Sequence, residues 1–171
     1  MAIFRDDANP WNQLDWRLLQ HGPISLYSRP ELLAEDVAWL AARHYAIDRL
    51  DCRDWTTSTE VYRALASAFT FPAYFGENLA ALNDCLGTLS VPDEGGRVIV
   101  FDRFDVPARA LTGLATGILD VIAVQARQHL LFGQRLIALV QSDDPKLAFD
   151  PIGATSVTWN PREWLAAARG S

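Results

Sequence analysis

The stretch FPAYFGENLAALNDCL, residues 71–86, decides the fold. It joins a loop broken by Pro72 and Gly76 to a segment with helical spacing that begins near Glu77. At about 100° per residue, the apolar side chains share one face of that helix: Leu79, Leu82, Cys85, Leu86 and Leu89. The stretch therefore predicts an amphipathic helix that packs on a core.

The opposite face of this helix is nearly free of long side chains. It carries Glu77, Ala80, Asp84 and Gly87, so it presents isolated carboxylates among small residues. No Lys or Arg occurs between Arg63 and Arg97, whereas a solvated helix face normally mixes both charges. The pattern favours a surface that another protein approaches closely, with an ordinary exposed face as the alternative.

Two aromatic residues, Tyr74 and Phe75, stand in the loop just before this helix. Tyrosine is a favoured anchor in protein interfaces, but aromatic side chains also fill cores. The sequence alone leaves both roles open for this pair.

Strands and helices alternate on both sides of the stretch. Upstream, after an irregular lead-in of about 20 residues, the pattern predicts a strand over Ile24–Tyr27, a helix from Ser28 as N-cap to Arg43, a strand over Tyr45–Cys52 and a helix capped by Thr57 and Glu60. Downstream it predicts a strand over Arg97–Phe101, a long helix over Pro107–Phe132, a strand over Leu136–Val140, a weak strand over Thr155–Trp159 and a helix over Pro161–Arg169. This alternation predicts an α/β fold with a mostly parallel sheet.

Residues 71–86 resemble the hallmark loop and helix of the barstar family, inhibitors of barnase-type ribonucleases. The shared pattern is a proline, an aromatic pair, Gly-Glu-Asn-Leu, then Ala-Leu and Asp-Cys-Leu. The resemblance runs from about Tyr45 to Gln141, in the same order of strand, helix, motif helix, strand, helix and strand. It divides the chain into an N-terminal extension (1–44) packed on the core, a barstar-like core (45–141) and a C-terminal extension (142–171), within one compact domain. We expect the N-terminal strand to add an edge to the sheet.

The resemblance implies an inhibitor that plugs a ribonuclease active site with this loop and helix. The aspartate at the place of Asp84 enters the enzyme's phosphate-binding pocket in that family and mimics a phosphate against Arg and Lys. Further positions match those that the family uses for contact or for shaping the loop: Tyr74, Gly76, Asn78 and Leu79. The expected partner-binding set is Tyr74, Phe75, Gly76, Glu77, Asn78, Leu79, Ala80, Asn83, Asp84 and Gly87.

Three positions depart from the family's type member. Ala80 stands in place of a second contacting aspartate, Asn83 in place of a tryptophan, and Gln128 in place of an acid near the end of the long helix. Each removes charge or area from the interface that the resemblance implies. A related basic nuclease, such as a toxin secreted against rivals and neutralised in its producer, is therefore a reasonable target.

The overall composition excludes several other classes of protein. In 171 residues, 15 basic side chains stand against 21 acidic ones, and the net charge of −6 argues against direct binding to nucleic acid. No apolar run is long enough to span a membrane, and no leader segment is recognisable, so we expect a cytoplasmic, acidic protein. The two cysteines, Cys52 and Cys85, are too few for a disulfide framework or a four-sulfur zinc site.

Catalytic signatures are absent from the sequence. It contains no dinucleotide-binding, P-loop, nucleophile-elbow or zinc-protease motif, and the three histidines show no metal-ligand spacing. We expect no cofactor and no metal site. Asp102, at the carboxyl end of a predicted strand, is the one position that favours an enzyme, and capping or turn formation explains it equally well.

Three functional hypotheses follow. The first is a non-enzymatic ribonuclease inhibitor of the immunity or antitoxin type, whose partner is a barnase-like ribonuclease or a related basic nuclease toxin. The second is a barstar-fold interaction scaffold with a non-ribonuclease partner, suggested by Ala80, Asn83 and the six tryptophans, which include Trp159 and Trp164. The third is a small-molecule enzyme that uses Asp102.

Overall fold

A computed structural model describes residues 13–152 and 157–164 of the chain. Its helices are α1 (Leu14–Gln20), α2 (Pro30–Ala41), α3 (Ser58–Phe69), α4 (Leu79–Gly87), α5 (Asp105–Ala110) and α6 (Thr112–Leu131). Its strands are β1 (Ile24–Tyr27), β2 (Tyr45–Asp51), β3 (Gly96–Asp102), β4 (Leu136–Gln141) and β5 (Thr158–Trp159). Residues 161–164 are also helical.

The strands form one parallel sheet in the order β2-β3-β4-β1-β5. This confirms the α/β fold predicted from the alternation of elements. The central strands β3 and β4 are buried almost throughout, as expected where helices cover both faces of a parallel sheet.

The two faces of the sheet carry separate apolar layers. One layer joins side chains of α3, α4 and α6 to alternate strand residues such as Ile99, Phe101 and Val140. The other joins α1 and α2 to the intervening residues, such as Val98, Val100 and Leu139. Because side chains alternate along a strand, each of the strands β1 to β4 contributes to both layers. The helix α4 thus has a buried support on one side of the sheet, while the N-terminal helices cover the other.

Helix α3 begins as its sequence predicts. The Thr57 hydroxyl accepts a hydrogen bond from the Glu60 amide at 3.3 Å, and the Glu60 carboxylate accepts one from the Thr57 amide at 2.9 Å. This capping box satisfies two amides that have no partner within the helix. It fixes the start of the segment that leads into the loop before α4.

Several predicted elements are wrong in detail. The lead-in contains a helix, α1, whose Leu14 and Leu18 are buried at i, i+4 spacing. The N-cap of α2 is Arg29, not Ser28. The strand β1 is not at the edge, because β5 pairs with its outer side. Of the two C-terminal elements, Thr155 and residues 165–169 lie outside the described residues.

The predicted long helix over 107–132 is two helices, α5 and α6. The chain bends at Leu111, where φ is −138° and ψ is 55°. The Thr112 hydroxyl donates to the Ala108 carbonyl at 2.8 Å, and this carbonyl lies in the last turn of α5. The bend lets α6 run along α4 independently of α5.

Candidate protein-binding surface

The aromatic pair before α4 is divided between the core and the solvent. The Phe75 ring packs against Phe71, with 4.9 Å between ring centroids, and against Tyr62 at 6.0 Å. Tyr74 is 87% exposed. Phe75 therefore anchors the loop, and the neighbouring Tyr74 side chain projects from it.

The turn into α4 is held by Asn78. Its side-chain oxygen accepts a hydrogen bond from the Ala81 amide at 2.8 Å, which caps the helix. Its side-chain nitrogen donates to the Gly76 carbonyl at 2.9 Å. Glu77 lies between them with φ of +47°, a left-handed conformation that costs a residue with a side chain roughly 1–2 kcal/mol. The loop geometry is thus imposed by the cap at its end.

The two faces of α4 are arranged as the helical spacing predicts. Leu82 and Leu86 are buried, while Ala80, Asp84 and Gly87 are exposed. Among the described residues, no side chain or amide forms a hydrogen bond or ion pair with the Asp84 carboxylate. This carboxylate is therefore available to a group outside the protein.

Helix α6 supports α4 through three contacts that follow in the same order along both helices. The Leu79 side chain lies against Gly117, where an added Cβ would be 2.5 Å from Leu79 Cδ1. The Gln125 side-chain nitrogen donates to Asn83 Oδ1 at 2.8 Å.

The third contact joins the C-terminal ends of the two helices. The buried His129 ring donates from Nε2 to the Leu86 carbonyl at 3.1 Å. With the Gln125 contact, this bond fixes the rotation and position of α4 by direct hydrogen bonds. Sequence reasoning missed both positioning residues: Gln125 belongs to no motif, and the histidines, His129 among them, show no metal-ligand spacing.

The charge around α4 is negative. Glu77 and Asp84 are exposed. Arg97 is the first basic residue after the segment that lacks Lys and Arg, and its guanidinium donates to Asp48 at 2.6 Å and to the Ser90 carbonyl at 2.8 Å. Partial burial, followed by the nearby Asp84 carboxylate, raises the pKa of the Cys85 thiol. Cys85 is consequently a neutral thiol, and the surface charge rests on the carboxylates.

The structure brings the ten predicted site residues together on the loop and α4. Seven are exposed: Tyr74, Gly76, Glu77, Asn78, Ala80, Asp84 and Gly87. Three are half-buried: Phe75, Leu79 and Asn83. Their contact with a partner stays a prediction. Phe75 and Leu79 pack inside the protein and Asn83 accepts an internal hydrogen bond, so these contacts already explain why an aromatic, an aliphatic and an amide residue occupy the three positions.

The position that suggested an enzyme is engaged in an ion pair. The Asp102 carboxylate accepts two hydrogen bonds from the Arg49 guanidinium, at 2.7 and 2.9 Å. Both cysteines are free thiols. Within residues 13–152 and 157–164, no three His, Cys, Asp or Glu side chains are grouped so as to hold a metal ion, and no helix there has the length and apolarity to cross a membrane.

Comparison with known protein families matches residues 45–141 to the model of the family described as Barstar (barnase inhibitor). The match covers more than half of the chain and extends from the first residue of β2 to the last of β4. The chain belongs to the barstar family, whose members are inhibitors and not enzymes. None of the curated proteins compared with the chain matches it.

Proposed function

We propose that this chain is a protein inhibitor of a barnase-like ribonuclease, of the immunity or antitoxin type, that blocks the enzyme's active site with the loop before α4 and the exposed face of α4. The observation that carries the proposal is the Asp84 carboxylate, which is exposed and has no partner among the described residues. The small side chains at Ala80 and Gly87 would let an enzyme surface approach the helix backbone closely.

The proposed chemistry is phosphate mimicry. A ribonuclease holds its substrate's phosphate with Arg and Lys side chains, and a carboxylate accepts bidentate, charge-assisted hydrogen bonds from the same donors. Asp84 would occupy that pocket and exclude RNA. The net charge of −6 and the absence of an exposed base on α4 would also speed the encounter with a basic enzyme.

The inhibitor would be poorer in interface charge than the type member of its family. Ala80 supplies no carboxylate, and Asn83 accepts a hydrogen bond from Gln125, so its side chain already has an internal partner. The proposal therefore assigns most of the electrostatic contribution to one residue, Asp84.

The test compares Asp84→Ala with a control that removes the same charge elsewhere. Asp120 is exposed on α6, on the side turned away from α4, so Asp120→Ala is the matched variant. We expect the wild-type chain at equimolar ratio to stop RNA cleavage by at least one enzyme from a panel of barnase-type ribonucleases that includes barnase. Loss of a desolvated charge pair costs about 2 kcal/mol or more, so Asp84→Ala should weaken inhibition about 30-fold or more.

The control and the salt dependence complete this test. Asp120→Ala should leave the inhibition constant within about threefold, and the association rate of the wild type should fall as salt screens the charges over ~8–10 Å. Unchanged RNA cleavage across the panel would reject the inhibitor function in favour of an interaction scaffold. Equal effects of the two substitutions would reject the role of Asp84.

A further inference from the structure

The last two residues of α6 and its C-cap are three consecutive exposed apolar residues. Leu130 is 49% exposed, Leu131 is 75% exposed and Phe132 is 78% exposed. Among the described residues, no aromatic ring or cation packs on the Phe132 ring. Consecutive exposed apolar residues are unusual on a soluble surface without a binding role.

The end of the helix does not require these side chains. The chain leaves α6 through Gly133, whose φ is +72°, and the Gly133 amide donates to the Leu130 carbonyl at 2.9 Å. The Gln134 amide donates to the His129 carbonyl at 3.0 Å. These are backbone bonds that depend on the glycine, and they form with any side chain at 131 and 132. The identity of Phe132 therefore needs another explanation.

The helical spacing of α6, continued by one residue to its C-cap Phe132, puts this residue on the side that faces α4. At about 100° per residue, Gly117, Gln125 and Phe132 fall within an arc of about 80°, and the first two contact α4 directly. Leu131 is rotated by about 100° from Phe132, away from α4. The bond from His129 to the Leu86 carbonyl places this end of α6 beside the C-terminal end of α4.

The exposed face of α4 is consequently framed by aromatic rings. Tyr74 precedes its N-terminal end in sequence, the helical spacing puts Phe132 near its C-terminal end, and Asp84 lies on the helix between these ends. Aromatic side chains are enriched in protein interfaces and among the residues that dominate binding energy there.

We propose that the protein partner whose basic pocket receives Asp84 also packs an apolar patch on Phe132, which follows Gln128 by four residues at the end of α6. This inference rests on the proposed function and specifies the partner's chemistry: a cationic pocket bordered by aliphatic or aromatic side chains. A second copy of the chain fits less well. A symmetric contact through Phe132 would bring the Asp84 carboxylates of both copies toward each other, and like charges across an interface repel.

The experiment measures binding kinetics of Phe132→Ala, Leu131→Ala and Asp84→Ala with barnase, or with the panel ribonuclease that the wild-type chain binds most tightly. Phe132→Ala should weaken binding about 10-fold through faster dissociation, with the association rate and its salt dependence unchanged, because an apolar contact acts after encounter. Leu131→Ala removes an equally exposed side chain and should stay within twofold. Asp84→Ala should slow association and reduce its salt dependence, and it should also speed dissociation because its charge pair is desolvated in the pocket.

The outcomes separate this inference from the proposed function. If Asp84→Ala abolishes inhibition while Phe132→Ala binds like the wild type, the Phe132 contact is overturned and the inhibitor function stands. If no enzyme of the panel binds the wild type, both fall together. Equal losses in Leu131→Ala and Phe132→Ala contradict the α4-facing position. A dimer of the free chain that Phe132→Ala converts to a monomer, measured by sedimentation, assigns the ring to self-association and overturns the proposal.

Discussion

The side chain of Asn78 connects the two parts of the candidate surface. Its oxygen caps α4 and its nitrogen holds the Gly76 carbonyl, so a single residue determines where the loop ends and the helix begins. The neighbouring Glu77 keeps its left-handed backbone because both of its flanks are fixed. The orientation of Tyr74 and of the first turn of α4 depends on these two hydrogen bonds.

Removing the cap should therefore lower stability by a defined amount. Asn78→Ala leaves the Ala81 amide without its side-chain acceptor, and we expect a loss of about 1 kcal/mol in the free energy of unfolding, measured by urea denaturation. Asn78→Asp retains an acceptor oxygen at the helix start and loses only the donor to Gly76, so it should recover most of that loss. Equal destabilisation by the two substitutions would show that the bond to Gly76, and not the cap, holds the turn.

At the scale of elements, the sequence predicted α4 better than its surroundings. The spacing of Leu79, Leu82 and Leu86 is enough to orient the helix, because an amphipathic face has only one direction in which to bury. Its start was predicted near Glu77, two residues early, since the helical spacing did not reveal the left-handed turn at Glu77 or the cap at Asn78. The bend at Leu111 was also missed, because no proline or glycine occupies that position and the apolar spacing continues through it to Leu114 and Ile118.

The packing of α4 on α6 could not be predicted at all, because it depends on which residues of two distant segments meet. Gly117 can be compared with Gly113, which lies in the same helix. An added Cβ at Gly117 would lie 2.5 Å from Leu79 Cδ1, whereas one at Gly113 would meet nothing within 4 Å. Substitution at Gly113 therefore changes only helix propensity, whereas substitution at Gly117 changes both helix propensity and the contact with Leu79.

Alanine at these two glycines should have opposite effects. Gly113→Ala should raise the free energy of unfolding by up to about 1 kcal/mol, because alanine is the better helix former. Gly117→Ala gains the same propensity but displaces Leu79, and overpacking costs typically about 1–3 kcal/mol, so the net change should be destabilising. Thermal unfolding of both variants checks this difference. A Gly117→Ala chain as stable as Gly113→Ala would mean that Leu79 moves aside freely and that α4 is not held at this point.

At the scale of the whole molecule, the segments outside the family match complete the sheet. The alternation of elements predicted the parallel sheet, but not the order of its strands, since that order is set by crossovers and not by local pattern. β1 was expected at an edge and lies between β4 and β5. Residues near both ends of the chain thus meet across β1, and the C-terminal segment covers what would otherwise be an open edge.

A buried polar cluster connects the N-terminal and C-terminal segments beside β1. The Asp36 carboxylate accepts hydrogen bonds from Tyr27 at 2.5 Å, from Asn160 at 3.2 Å and from the Arg162 guanidinium. Burial raises the pKa of Asp36, and the bonds from Tyr27 and Arg162 oppose that rise. Nearby Glu35, which also binds Arg162 at 2.8 Å, adds to it. The Asp36 carboxylate is therefore tolerated in the interior because Tyr27, Asn160 and Arg162 donate hydrogen bonds to it. Of these three donors, only Arg162 carries a positive charge.

Replacement of Arg162 should destabilise the chain in a way that depends on pH. A folded-state pKa above the unfolded value of ~3.9 means that Asp36 contributes most to stability at low pH and that this contribution is lost as pH rises through the folded pKa. Arg162→Met removes an opposing charge, moves the folded-state pKa of Asp36 higher and enlarges that loss.

We expect Arg162→Met to lower the free energy of unfolding by about 2–4 kcal/mol at pH 7 and by clearly less at pH 4, measured by denaturant unfolding. In an Asp36→Asn background only the exposed ion pair with Glu35 remains, so the cost should be about 1 kcal/mol or less at both pH values. A pH-independent cost in the native background would show that Arg162 acts by packing, and that the two ends of the chain are joined by contact and not by charge.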